Sequence, residues 1–138
     1  MPIVVDASVV APWFLPDEAS AAADALSERM ADDGAVAPDL LWHEVRNVLV
    51  RAFRRGRLPE EEIWVSLRRF ESLPLRSAGP GDATEVMRLA IKHGLTAYDA
   101  AYLALAKGQR LLLASFDKAL RAAATVEGVA LLPEALAS

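Results

Sequence analysis

Short apolar runs alternate with longer amphipathic stretches along the 138 residues. Ile-Val-Val at 3 to 5 reads as a buried strand, followed by a turn at Asp6-Ala7-Ser8 and a short helix carrying Val9, Val10, Trp13 and Phe14. Pro16 is expected to end that helix. From Ala19 to about Ala31, Ala22, Ala25, Leu26 and Arg29 recur at helical spacing, and "ADDG" closes the segment before a short strand at "AVA", 35 to 37. Asp39 is placed to cap a long helix to about Arg55, with Leu41, Val45, Val48, Leu49 and Ala52 as its buried stripe and Gly56 as its stop.

Residues 59 to 72 open Pro-Glu-Glu-Glu, which suits a helix start, and turn Ile63, Leu67 and Phe70 inward. "PLRSA" at 74 to 78 predicts a strand. Asp82-Ala-Thr-Glu85 resembles a capping box for a helix ending at His93-Gly94, and Thr96 begins another helix to about Lys107. "LLLAS" at 111 to 115 predicts the clearest buried strand; residues 117 to 124 are helical, and "VALL" at 129 to 132 is a last strand. Apolar strands alternating with helices indicate an α/β fold, a parallel sheet covered on both faces. The length suits a single domain over 1 to 138, with no repeat or linker.

Composition narrows the chemistry. With 54% hydrophobic and 25% charged residues and a net charge of -4, the chain reads as an ordinary globular protein, and nucleic-acid contact has to be local. The absence of cysteine excludes disulfides and thiolate metal sites. No apolar run reaches the roughly 18 residues of a membrane span and no signal-peptide pattern opens the chain, so a cytoplasmic protein without membrane contact is expected.

Parallel sheets bind ligands beyond the carboxyl ends of their strands. Among 19 acids that rule selects Asp6, directly after "IVV", and Asp117, just after "LLLAS". Glu44 and Asp99 are also directed inward by helix spacing, Glu44 between Leu41 and Val48, and Asp99 amid alanines four residues before Leu103. Each acid alone has a structural reading: Asp117 as an N-cap, Asp99 as the acid of a box begun by Thr96, Asp6 as an Asx turn. Four carboxylates on one rim, however, repel unless a cation joins them, and Mg2+ or Mn2+ prefers carboxylate and water oxygens. Asp82, explained as a cap with Glu85, takes no part.

On the helix from 39 to 55, Arg51 and Arg55 lie within roughly 20° of the meridian of Glu44. They form a phosphate track, with Arg54, Arg57, Arg68 and Arg69 near in sequence, or a solvated face ion-paired to Glu60 to Glu62. His43-Glu44 opens like the zinc-protease pattern HExxH, but Asn47 stands at the fifth position and the motif fails. Trp13, Phe14, Trp42, Trp64 and Phe70 are expected in the core.

The segments "VVDASVVAPWF", "PDLLWHEVRNVL", "LTAYDAAYLALA" and "LLLASFDKAL", in this order and spacing, resemble the PIN-domain ribonucleases, specifically the VapC toxins of toxin-antitoxin pairs. The resemblance covers nearly the whole chain. It implies a three-layer α/β/α Rossmann-like fold with a short central parallel sheet and a Mg2+- or Mn2+-dependent acidic site. Carried over by motif, Asp6, Glu44, Asp99 and Asp117 would be the catalytic and metal-binding acids, with Ser8 and Ser115 in support. Ser115 stands where the family often has Thr.

The implied activity is endoribonuclease cleavage leaving 5'-phosphate and 3'-hydroxyl ends. The implied partners are an RNA substrate, a VapB-like antitoxin through which alone DNA is contacted, and a second copy in a homodimer. Two rivals remain: a non-catalytic PIN-like module that binds RNA or protein around a structural cation, and a phosphate-accepting receiver domain, for which paired acids at the first strand are lacking.

Overall fold

The first strand, β1 (Ile3–Val5), is three β-favouring side chains with no solvent exposure, and every other layer is arranged around it. The structure, a computed structural model, describes residues 1–136; the last two positions of the expected domain lie outside the described residues. Along the chain follow α1 (Ala7–Val10), two 3-10 turns (Ala11–Trp13 and Pro16–Glu18), α2 (Ala21–Asp33), β2 (Ala35–Ala37), α3 (Leu40–Arg54) and α4 (Glu60–Glu71). Then come β3 (Leu75–Ser77), α5 (Ala83–His93), α6 (Ala97–Gln109), β4 (Leu113–Ala114), α7 (Lys118–Val126) and β5 (Leu131–Leu132).

The five strands pair in the order β3-β2-β1-β4-β5, every neighbour parallel. The chain builds outward from β1 through β2 to β3, then returns to place β4 on the other side of β1. Strand order therefore reverses between β1 and β4, where Val4 pairs with Leu113 and Val5 with Ala114. A crevice opens beyond the carboxyl ends of strands at such a point. Both faces of β1 are covered, with Val9, Leu41, Val45, Leu49, Leu103 and Leu120 among the buried residues of the shared core.

Most elements fall where side-chain periodicity puts them, with instructive departures. The inward stripe of α2 is Ala23, Leu26 and Met30, while Ala22, Ala25 and Arg29 face solvent. An alanine-rich helix carries little periodic contrast, so a rotation of one residue leaves the pattern almost unchanged. Pro16 does more than end a helix: it opens a second 3-10 turn, where a missing N–H costs nothing. The expected strands at 111 to 115 and 129 to 132 shrink to two paired residues each, because only that length of β4 meets partners on both sides. Gly94, at φ 64°, ends α5 in the left-handed conformation that lets α6 turn back against it.

Phe14 and Phe70 are buried edge to face, 6.1 Å apart, with the Arg69 guanidinium over Phe14. Trp64 is instead 52% exposed, against the expectation that it belongs to the core, and its indole N–H donates to Glu60.

Candidate acidic site

Asp6 leaves β1 at the point of strand reversal and caps α1, accepting the N–H of Val9 at 3.2 Å. The turn that carries it is closed by two hydroxyls. Ser8 Oγ donates to Asp6 Oδ1 at 2.6 Å, and Ser115 Oγ, just past β4, donates to Asp6 Oδ2 at 2.5 Å. Both hydroxyls are oriented from behind by backbone: the N–H of Phe116 donates to Ser8 Oγ and the N–H of Asp117 to Ser115 Oγ. Because those N–H groups occupy hydroxyl lone pairs, the hydroxyl protons point at the carboxylate.

Asp6 is only 4% exposed. Burial outweighs the hydrogen bonds and, with the nearby charge of Asp117, pushes its pKa from 3.8 up to about 6. Asp117 is the acid whose charge reaches it, and the other two follow in a chain. Asp117 caps α7, its Oδ1 accepting the N–H of Leu120 at 2.8 Å. Asp99 lies in the first turn of α6, its backbone N–H held by Thr96 Oγ1, and burial followed by the charge of Asp117 raises its pKa. Glu44, one turn into α3, is raised by burial and by Asp99, against the opposing effect of a hydrogen bond from Tyr102. The charge of Asp117 thus acts on Asp6 and Asp99, and that of Asp99 on Glu44, linking the four carboxylates in series.

Asp6 and Asp117 thus satisfy their structural readings as caps, whereas Asp99 completes only half of its box: its N–H bonds Thr96 Oγ1, but its carboxylate does not return to the Thr96 N–H. Capping leaves oxygens over. Among the described residues, Asp117 Oδ2 and Glu44 Oε2 accept no hydrogen bond from the protein. No three His, Cys, Asp or Glu side chains among the described residues converge tightly enough to cage a metal ion. The donor set fits a hard divalent cation that takes one or two direct carboxylates and keeps water in its shell, and does not fit a metal needing a closed protein cage.

Two residues of this region escape sequence reasoning. Tyr102, 1% exposed, donates its hydroxyl to Glu44 Oε1 at 2.6 Å and so joins α6 to α3. Its own pKa is pushed far up by burial, then by Glu44 and the charges of Asp6 and Asp99. The available signal was its place three residues after Asp99, on the same helix face. Arg121, 7% exposed, makes no ion pair among the described residues and donates instead to the carbonyls of Ser115 (2.9 Å) and Pro133 (2.7 Å). It ties the start of the Ser115–Asp117 turn to the end of β5; an arginine four residues after Asp117 was the only hint.

Arg51 and Arg55 are exposed at the end of α3, about 10 Å or more along the axis from Glu44. Among the described residues neither makes an ion pair, and the alternative pairing with Glu60 to Glu62 does not form. Arg57 leaves the expected basic face: its guanidinium is bound by Asp17 at 2.8 Å and by Glu18 at 2.5 Å. His93 also departs from a simple helix-end role. With Lys92 and Lys107 it surrounds Glu127, whose side chain is 5% exposed and whose pKa those partners hold far below the usual range.

No helix among the described residues is long and apolar enough to cross a membrane. The PIN domain family profile matches residues 3–126. The chain is 37% identical to Ribonuclease VapC3 of Pyrobaculum aerophilum over 121 residues, 81% of this chain and 88% of that protein. It superposes on the crystal structure of PAE2754, also from Pyrobaculum aerophilum, with a TM-score of 0.71 and 26% identity, covering 89% of this chain and 84% of the other. A parallel sheet reversing at β1 and β4, an acidic rim beyond it, and a match spanning almost every element lead to one assignment: the chain belongs to the PIN-domain family and is a relative of the VapC ribonucleases.

Proposed function

We propose that the protein is a Mg2+-dependent endoribonuclease, with Mn2+ as a substitute, acting in the cytoplasm as the toxin of a toxin-antitoxin pair. The observation that carries this reading is the buried Asp6, gripped by two pre-oriented hydroxyls and linked through the charge of Asp117 to Asp99, and through Asp99 to Glu44. Asp6 and Asp99 would hold the cation, with Glu44 and Asp117 completing its surroundings directly or through water. When bound, such a cation lowers the pKa of a water and offsets charge on the phosphodiester in the transition state.

The chain supplies positioning and proton transfer. Tyr102 fixes one oxygen of Glu44 and leaves Oε2 to take the proton of the attacking water. Water attacks phosphorus, the bond from phosphorus to the 3' oxygen breaks, and that oxygen is protonated from solvent, giving 5'-phosphate and 3'-hydroxyl ends. Arg51 and Arg55, exposed and without a carboxylate partner among the described residues, would bind backbone phosphates on the substrate. Val50 and Phe53 on α3 and Trp64 and Val65 on α4 remain exposed, and a VapB-like antitoxin or a second copy of the chain would cover such apolar area.

The test is cleavage of RNA by purified protein with Mg2+, with and without chelator, for the native chain and Asp99→Asn. Chelator-sensitive cleavage, lost in Asp99→Asn while the fold is kept, is the expected result. Stabilisation by metal with no cleavage of any RNA would replace this reading with a binding module around a structural cation.

A further inference from the structure

An open cavity of about 810 Å³ adjoins the acidic rim on the β5 side, and neither the acids nor the arginine track accounts for it. Its apolar walls are Pro12, Ala22 at the start of α2, Phe116 in the turn after β4, and Leu136 beyond β5, with Ser8 of α1 and Ser20, the cap of α2, among them. Two of these residues also belong to the acidic site. Ser8 donates to Asp6, and Phe116 lies between Ser115 and Asp117 with its N–H on Ser8. The cavity therefore shares Ser8 and Phe116 with the turn that holds Asp6.

We propose that this cavity receives one nucleobase of the RNA next to the scissile phosphodiester, and so selects the cleavage site; the proposal rests on the nuclease reading above. The occupant follows from continuity and chemistry. A single-stranded RNA held with a phosphate at the acids must direct the adjoining bases to either side, and unstacked bases are taken up by apolar and aromatic surfaces. The volume falls in the usual range of small-molecule sites, about 300–1,000 Å³. Two polar groups reach its edge. Ser20 Oγ accepts the N–H of Ala23 and keeps its proton to donate, while Glu18 is bound by Arg57 through Oε2 and keeps Oε1 to accept. One donor and one acceptor on apolar walls can read the edge of a base without binding its phosphate.

The first measurement is binding of short single-stranded oligoribonucleotides to Asp99→Asn protein in Mg2+, with an abasic nucleotide moved through each position in turn. One position should stand out, its abasic form binding about tenfold or more weakly, the size of a lost base stack. The second fills the cavity with Ala22→Trp, a solvent-facing helix position away from the acids. Mapping of RNA 5' ends should then show an altered base distribution beside the cut, and kcat/KM for RNA should fall about tenfold. Hydrolysis of bis(p-nitrophenyl) phosphate, which has no base to place, should be unchanged.

Equal binding of every abasic oligonucleotide, or an unaltered cleavage distribution in a folded Ala22→Trp protein, would overturn the proposal and leave the cavity to a protein segment. The abasic series needs no cavity variant, so it stands even if Ala22→Trp does not fold. Absence of cleavage by the native chain, with one abasic position still discriminated, would sink the nuclease reading and keep the base site.

Discussion

Replacing Asp6 by Asn should make the metal-free protein more stable at neutral pH, while abolishing the response to Mg2+ proposed for this site. The carboxylate is buried and its pKa rises from 3.8 to about 6 on folding. At about 1.4 kcal/mol per pH unit, the ionised form costs the folded state roughly 3 kcal/mol. The sign follows from the direction: a folded-state pKa above the unfolded one gives a stabilising contribution fully present below 3.8 and lost as pH rises through about 6. Asparagine has no such titration. Its NH2 must however face Ser115 Oγ, already an acceptor for Asp117, at a pH-independent cost of about 1 kcal/mol.

The difference in unfolding free energy between Asp6→Asn and native protein, measured by urea titration in chelator from pH 3.5 to 7.5, should therefore climb by about 3 kcal/mol. It should start near -1 and end near +2 kcal/mol, with most of the rise between pH 4 and 6. Glu44 and Asp99 are raised in the same direction and Glu127 is lowered, but these remain in both proteins and largely cancel. Added Mg2+ should raise the melting temperature of the native chain and leave that of Asp6→Asn nearly unmoved. A difference that stays flat across this pH range would refute the claim that burial of the Asp6 charge opposes folding.

Tyr102→Phe removes the donor that lowers the pKa of Glu44, so the acidic limb of the pH profile for RNA cleavage should shift upward, with kcat down about tenfold. A lower kcat with an unshifted limb would separate Tyr102 from Glu44. Arg121→Met strands the carbonyls of Ser115 and Pro133 and should cost about 2–4 kcal/mol in urea unfolding, with RNA cleavage at low temperature reduced because Ser115 is displaced. Arg110→Gly should stabilise the fold by about 0.5–1 kcal/mol, since Arg110 holds φ 56° at the end of α6, a conformation glycine adopts without strain; a calorimetric melt reads the sign.

What could be read from the chain alone was whatever repeats or interrupts a period. The Ile-Val-Val run fixes β1, Gly56 and Gly94 close α3 and α5, and the side-chain caps Asp82 and Thr96 open α5 and α6; Asp39, expected to cap α3, is itself helical and makes no side-chain cap bond. Where the signal is faint, as in the alanine-rich α2, the face is misjudged by one residue. The contact of Tyr102 on Glu44, spanning 58 positions, was out of reach, and Ser115, 109 positions from Asp6, was placed in support only through the family resemblance. No local spacing encodes such a pair, because the sheet and the packing of α6 on α3 create it. The same holds for Arg57, whose expected membership of a basic face lost to two acids some 40 residues upstream.

The opposition between structural and functional readings of the acids also dissolves on geometric grounds. A cap uses one face of a carboxylate: Asp117 Oδ1 accepts the N–H of Leu120, and Oδ2 is not used by the cap. Asp6 is the extreme case, accepting from Val9, Ser8 and Ser115 together. Those contacts do not neutralise its charge; they remove its freedom to turn away from Asp117. Capping is therefore the means by which short helices after β1 and β4 aim their acids at one another. Repulsion among groups so fixed cannot be relieved by rotation, which leaves protonation or a bound cation as the ways out, and near neutral pH the second is open to the whole cluster.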